Sequence, residues 1–295
     1  MGKYMRLLHS LPPYNFMGLE PELSNFKNAK VAVLPVPYDS TTSYRSGARD
    51  GPRAIIQASR NLELYDDDLG YEPSEIGIAT LDELEPSRSS PEETINRVEK
   101  VFEELIENRK FPVMLGGEHS LTFGAVKAFK KKYADLKVLH LDAHADLRDM
   151  YEGTKYNHAC VIRRVKELCD VVSVGVRSMS KDEAKYIKEN KLKIFYARDV
   201  KKWDIDEMLS NLKGKVYITI DLDVFDPSEM PAVGTPEPGG LHWYDVVEMI
   251  SKISGEREIV GFDAVELAPI PYETSSDFLA AKLIYKIIGC IFAKK

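Results

Sequence analysis

Cysteine is scarce in this chain of 295 residues. Cys160, Cys169 and Cys290 are odd in number, far apart and without CxxC spacing, which argues against a disulfide framework or zinc knuckle and for a reducing compartment. Glutamine is rarer still: Gln57 stands alone beside abundant Lys and Glu, a composition of thermophilic character. Long apolar runs are missing. The most apolar stretch, Phe278 to Ala293, is interrupted by Lys282 and Lys286 and is too short to span a bilayer, so a buried C-terminal helix is expected. The N-terminal MGKYMRLLHSLPP has no apolar core before a cleavage site, and Arg6 stands where a myristoylation signal needs Ser or Thr. A cytoplasmic protein without a membrane partner is the expectation. A basic excess is also lacking: the net charge is -7, which leaves no footprint for nucleic acid and mildly favours a cationic small molecule. No Rossmann or P-loop glycine signature occurs.

The chain is 44% apolar and 29% charged, as in ordinary soluble globular proteins, and is long enough to bury a substantial core. From Lys30 onward, β-branched runs alternate with segments of helical period, the pattern of βα units on a parallel sheet. The strands predicted are 31–36, 111–115, 137–142, 171–176, 192–197, 216–221 and 258–263, with a short one at EIGIAT. Helices are predicted at GPRAIIQAS, at 90–108 behind a Ser90/Glu93 capping box, and at 119–132, 157–168, 180–190, 204–212, 242–254 and 275–292. No repeat or linker divides the chain, so one domain over 1–295 is expected. The irregular stretches 35–51 and 226–241 are too long for simple connectors and are expected to shape a site.

Three of these strands run into clusters of His and acidic residues: LGGEHS, HLDAHAD and TIDLDVFDP. In an open parallel sheet, ligands gather beyond the carboxyl ends of strands, so the clusters are expected to converge. Asp142, His144 and Asp146 alternate, as do Asp221 and Asp223, and extended backbone would turn each set to one side. Carboxylates with two imidazoles and no thiolate suit Mn²⁺ or a similar ion better than structural Zn²⁺. So many carboxylates repel one another unless cations lie between them, and a metal pair is a known hydrolytic device. The EF-hand pattern fails, because Phe225 and Asp226 stand where a ligand and the turn glycine are needed. ITIDLDVF is locally similar to the first motif of Mg²⁺-dependent haloacid-dehalogenase phosphatases, but that reading leaves GGEHS and DAHAD unexplained. A catalytically dead metal-binding homologue is the other class to weigh.

GGEHS, DAHAD and DLDVFDP, in this order, resemble the metal-binding signatures of the ureohydrolase family of arginases and agmatinases. YDSTTSYRSGARDGPRAI, YNHACVIRR, AVGTPEPGGL and GFDAVELAP extend the likeness from about residue 31 to the end. The resemblance implies a three-layer α/β/α fold around a parallel sheet of about eight strands, assembled as a homo-oligomer, trimer or hexamer. It implies two Mn²⁺ per subunit, with His119 and Asp146 on the first, His144 and Asp223 on the second, and Asp142 and Asp221 bridging. The filled ligand set argues against a dead homologue. Glu266 matches the carboxylate that grips the guanidinium, and His158 matches the proton-shuttling histidine. Arg45, Gly47 and Pro52 read as loop-shaping residues.

The expected reaction is hydrolysis of a small guanidine, agmatine first, to urea and putrescine, a step of polyamine biosynthesis. Two cations sharing a water lower its pKa and make hydroxide the nucleophile near neutral pH, with Asp146 orienting it. N1-aminopropylagmatine, arginine and guanidinobutyrate are the alternatives. The segment Leu147, Arg148, Asp149, Met150 lacks the asparagine with which arginases read an α-carboxylate. Asp149 and Glu152 would attract an amine tail, whereas Arg148 would favour a carboxylate.

Overall fold

The computed structural model describes residues 11–293. The first ten residues, where a targeting signal was sought, and the last two lie outside it. Eight strands form one sheet: β1 (Val31–Val36), β2 (Ile78–Thr80), β3 (Phe111–Gly116), β4 (Lys137–Leu141), β5 (Asp170–Val174), β6 (Lys193–Phe195), β7 (Lys215–Asp221) and β8 (Glu258–Val265). Every pairing is parallel, in the order β2-β1-β3-β8-β7-β4-β5-β6. The inner strands are buried on both faces, so they read as near-continuous apolar runs.

The helices are α1 (Pro21–Ser24), α2 (Gly51–Ser59), α3 (Pro91–Glu107), α4 (Thr122–Lys132), α5 (Val161–Lys166), α6 (Lys181–Glu189), α7 (Ile205–Asn211), α8 (Trp243–Glu256) and α9 (Ser275–Phe292). Alternate strand residues sort them into two layers. Val33, Leu115, Leu139, Ile218 and Phe262 join Ile55 of α2, Met208 of α7, Ile250 of α8 and Ile284 of α9 in one core. Leu34, Met114, Val138 and Tyr217 join Phe102 of α3, Phe129 of α4, Val165 of α5 and Ile187 of α6 in the other. Fully burying each such side chain contributes about 1.5–3 kcal/mol, which is what holds the three layers together.

Several boundaries differ from expectation for visible reasons. β5 stops at Val174 because Gly175, at φ +93, turns the chain where a Cβ would strike Val224. Helical stretches 119–132 and 157–168 begin as single 3-10 turns, His119–Leu121 and His158–Cys160. At Ser90 only half of the capping box forms: Ser90 Oγ accepts from Glu93 N at 3.2 Å, while the Glu93 carboxylate turns to Arg97. α9 spans the residues expected of it, and among the described residues no helix is long and apolar enough to cross a membrane.

Candidate metal centre and its cleft

Four neighbouring strands at the middle of the sheet, β3, β8, β7 and β4, release the chain into the segments that carry the predicted site. Gly117–His119 follows β3, Asp142–Asp146 follows β4, Asp221 ends β7 with Asp223 in the next turn, and Glu266 follows β8. The convergence expected at the carboxyl ends is therefore present. Strand alternation is not what produces it after β4. That strand ends at Leu141, and Asp146 turns inward through a left-handed backbone, φ +51. His144 is held there by a bridge to Ser178. The GG of GGEHS permits close approach, since a Cβ on Gly117 would lie 1.8 Å from the Tyr38 carbonyl oxygen.

His119 Nδ1 is buried and has no hydrogen-bond partner of good geometry. It nonetheless faces three carboxylate oxygens: Asp142 Oδ2 at 3.1 Å, Asp146 Oδ2 at 3.3 Å and Asp221 Oδ2 at 3.4 Å. His144 Nδ1 lies 2.8 Å from Asp223 Oδ2 and 3.5 Å from Asp142 Oδ1. Adjacent ligands around an octahedral ion with bonds of about 2.1 Å stand about 3 Å apart, so these spacings suit ligands of a common cation. Asp142 belongs to both groups. The contacts of Asp221 place it with His119, and the main-chain N–H of Asp223 donates to it at 2.9 Å. His140, to which the sequence reading gave no role, joins Asp142 and His119 in a tight His/Asp group. Its Nε2 is 2.8 Å from Asp142 Oδ2 and its Nδ1 3.0 Å from Ser173 Oγ.

Electrostatics show how crowded the site is. Burial, then the charge of Asp142, pushes Asp146 up to about 7. Burial, then Asp223 and Asp142, raises Asp221 far above the carboxylate range. A divalent cation relieves both effects at once. The imidazole of His119 is prepared for one. Its Nε2 lies 2.9 Å from Thr219 Oγ1, which donates to Asp263 Oδ1 at 2.6 Å, so in the neutral ring Nε2 bears the proton and Nδ1 the lone pair. Burial opposes charge on the ring, but Asp142, Asp146 and Asp221 outweigh it and raise its pKa well above the ordinary imidazole value, so a metal ion at Nδ1 would take the place of a proton. Asp263 is fully buried and also accepts from Tyr217 at 2.7 Å and Thr122 at 2.9 Å.

Glu266 accepts the His119 main-chain N–H at 2.6 Å, sits at φ +68 and lines the cleft above the cluster. Burial, then Glu118, raises its carboxyl well above the usual range, so a cationic partner is what would keep it ionised. The cleft holds about 250 Å³ and is also lined by Asp146, His158, Arg45, Arg148 and Glu183. Asp226 pins the 226–241 stretch beside it by accepting from Gly239 N at 2.9 Å and Gly240 N at 3.0 Å. The Arg177 guanidinium, which no sequence signal marked, spans the carbonyls of Asp223, Val224, Phe225 and Glu237. Neither Asp149 nor Glu152 lines the cleft, against expectation. Arg164 at 2.7 Å and Arg163 at 4.0 Å neutralise Asp149. Arg148 does line it, with its guanidinium 4.5 Å from the Tyr151 ring centroid.

A sequence model of the Arginase family matches residues 29–290. The chain belongs to the arginase family. Within this family it is 39% identical to the N(1)-aminopropylagmatine ureohydrolase of Synechocystis sp. over 94% of each chain. It is 37% identical to the agmatinase of Pyrococcus horikoshii over 94% of this chain and 98% of that one. Among solved structures, the agmatine ureohydrolase of Thermoplasma volcanium superposes with a TM-score of 0.85 at 38% identity, covering 96% of this chain and 95% of that one. The protein is thus an agmatinase-type ureohydrolase of the arginase family, a hydrolase of amidino C–N bonds, in a family that depends on metal.

Proposed function

We propose that this ureohydrolase holds two Mn²⁺ ions and hydrolyses an amine-tailed guanidine, agmatine or N1-aminopropylagmatine, to urea and a primary amine. The observation that carries the reading is the unpartnered His119 Nδ1 among three carboxylate oxygens, directly below the cleft that Glu266 lines. His119, Asp146, His144 and Asp223 would hold the ions, with Asp142 and Asp221 between them. When bound, such a pair activates a water near neutral pH.

The chain's own residues do the rest. Glu266 accepts hydrogen bonds from the guanidinium and fixes its carbon above the cluster. Asp146 has a carboxylate at the cleft floor and orients the attacking water. Water adds to the guanidinium carbon, the bond from that carbon to the alkyl nitrogen breaks, and the nitrogen leaves as an amine with a proton from the site. His158 exchanges that proton with solvent. Burial holds its imidazole down at about 4, so it meets the proton as a neutral base.

The runner-up is a carboxylate-tailed guanidine, favoured by Arg45 and Arg148 on the cleft wall. Urea release with Mn²⁺ across agmatine, N1-aminopropylagmatine, guanidinobutyrate and arginine separates the two. A kcat/KM for arginine above that for both amine-tailed substrates overturns the amine-tail reading, and no urea from any of them overturns the activity. We further propose a cytoplasmic homo-oligomer, trimeric or hexameric, which mass measurement in solution would check.

A further inference from the structure

His158 opens the 3-10 turn His158–Cys160, with Asn157 Oδ1 accepting from Ala159 N at 3.0 Å. A neutral imidazole has two tautomers, and only one leaves the cleft-facing nitrogen free to take a proton. Two residues from distant segments bear on the choice. Thr41 lies in the loop after β1, and Glu118 precedes His119 after β3. Glu118 is fully buried. Its Oε2 accepts Thr41 N at 2.6 Å, and its Oε1 accepts Thr41 Oγ1 at 2.6 Å and Ser120 Oγ at 2.5 Å.

A hydroxyl has one proton to donate and two lone pairs. Thr41 Oγ1 gives its proton to the Glu118 carboxylate, so towards His158 it can only accept. It accepts from His158 N at 3.0 Å and lies 3.3 Å from His158 Nδ1. The proton of the neutral ring is thereby placed on Nδ1. Nε2 is left with its lone pair, 3.4 Å from Ser43 Oγ on the cleft wall. Asn157 Nδ2 closes the arrangement by donating to the Thr41 carbonyl at 3.3 Å.

We propose that Glu118 and Thr41 are positioning residues for His158: they hold its neutral ring as the Nδ1–H tautomer and support the charge it gains when Nε2 takes a proton. The proposal rests on the shuttle reading of His158 above. One proton arrives at Nε2 and the same number leaves, to the departing amine or to water. Thr41 and Glu118 end as they began, so no proton needs to reach the buried carboxylate. The arrangement follows the logic of a base oriented by a third group, here through an intervening hydroxyl.

The test is a double-mutant cycle on the metal-loaded enzyme. Thr41→Val should lower kcat about tenfold to a hundredfold, within the range of lost acid–base assistance, while KM and bound metal stay as in wild type. Thr41→Ser keeps the hydroxyl and should restore most of the rate. Added imidazole should rescue His158→Ala in part and Thr41→Val likewise, and the double variant should be no slower than His158→Ala alone. Losses that multiply in the double variant, or a Thr41→Val enzyme as fast as wild type, overturn the relay while leaving the shuttle standing. A His158→Ala enzyme with wild-type turnover removes the shuttle itself, and the relay with it.

Discussion

Two places in this molecule set buried acid beside further carboxylates, and they meet the cost in opposite ways. Under α9, Asp66 is fully buried and Lys286, 3% exposed, reaches both it and Asp68, at 2.9 Å from the latter. The chain supplies its own cation there. At the carboxyl ends of β3, β4, β7 and β8, Asp142, Asp146, Asp221, Asp223 and Glu266 gather, and among the described residues no Lys or Arg forms an ion pair with any of them. Their near nitrogens are the imidazoles of His119 and His144, which the carboxylates draw towards protonation and whose protons a metal ion would replace. Burying several carboxylates without a counter-charge costs several kcal/mol each. The chain supplies a lysine under α9 and none at this cluster, where five carboxylates crowd together, and that is the arrangement expected of a site whose cation would come from outside.

The sharpest way to break this contrast is Asp221→Ala. Altering a group that merely orients a metal ligand costs about 10- to 100-fold in metal affinity, so removing a carboxylate from between two ions should cost more. Urea release should vanish and metal analysis should find fewer than two ions per subunit at saturation. An active Asp221→Ala enzyme, or wild-type protein saturating at one ion, ends the binuclear reading. Glu266→Gln should act on the substrate cation alone. The amide still hydrogen-bonds but no longer opposes the guanidinium charge, a loss of about 2–5 kcal/mol, or roughly 30-fold to several-thousandfold in kcat/KM. Bound metal should not change; near wild-type kinetics would take Glu266 out of the site.

Lys286→Met tests the other half. Removing one partner of a buried pair typically costs about 3–5 kcal/mol, so denaturant unfolding should shift by that order while the folded protein keeps its metal content and kcat. Added Mn²⁺ should stabilise this variant and wild type alike if, as proposed, the ions bind at the other cluster. If Mn²⁺ instead cancels the Lys286→Met loss, Asp66 and Asp68 bind cations and the contrast between the two regions fails.

How much of this was legible follows from how local each signal is. Eight strands and α9 were visible because a fully buried strand or helix writes an apolar run into consecutive residues. So were GGEHS, DAHAD and DLDVFDP, in which ligand types repeat within a few positions. What escaped is long in range. Asp149 reads as a free acid at the cleft, but Arg164 lies fifteen residues on, next to Arg163, and only the fold reveals the pairing. Thr41 and Glu118 are 77 residues apart, and Thr219 and Asp263 are 44 apart, so neither partnership leaves a spacing to read. Asp146 turns inward through a positive φ that nothing in DAHAD announces.

The smallest expected effect probes that hidden layer. Thr219 Oγ1 accepts from His119 Nε2 and donates to Asp263, so Thr219→Val deletes both bonds while conserving most of the volume. Asp263 keeps Tyr217 and Thr122 as donors, which limits the damage to the fold. His119, however, loses the acceptor that fixes its tautomer and ring angle. Metal affinity should fall about 10- to 100-fold, whereas kcat measured at saturating Mn²⁺ should stay close to wild type, since no group touching substrate has changed. Thr219→Ser should retain wild-type affinity, because the hydroxyl survives. Titrating Mn²⁺ against urea release and against thermal stability reads affinity two ways, one independent of turnover. Should Thr219→Val bind metal as tightly as wild type by both, the lone pair of His119 is not prepared by this chain, and its orientation must come from the metal itself.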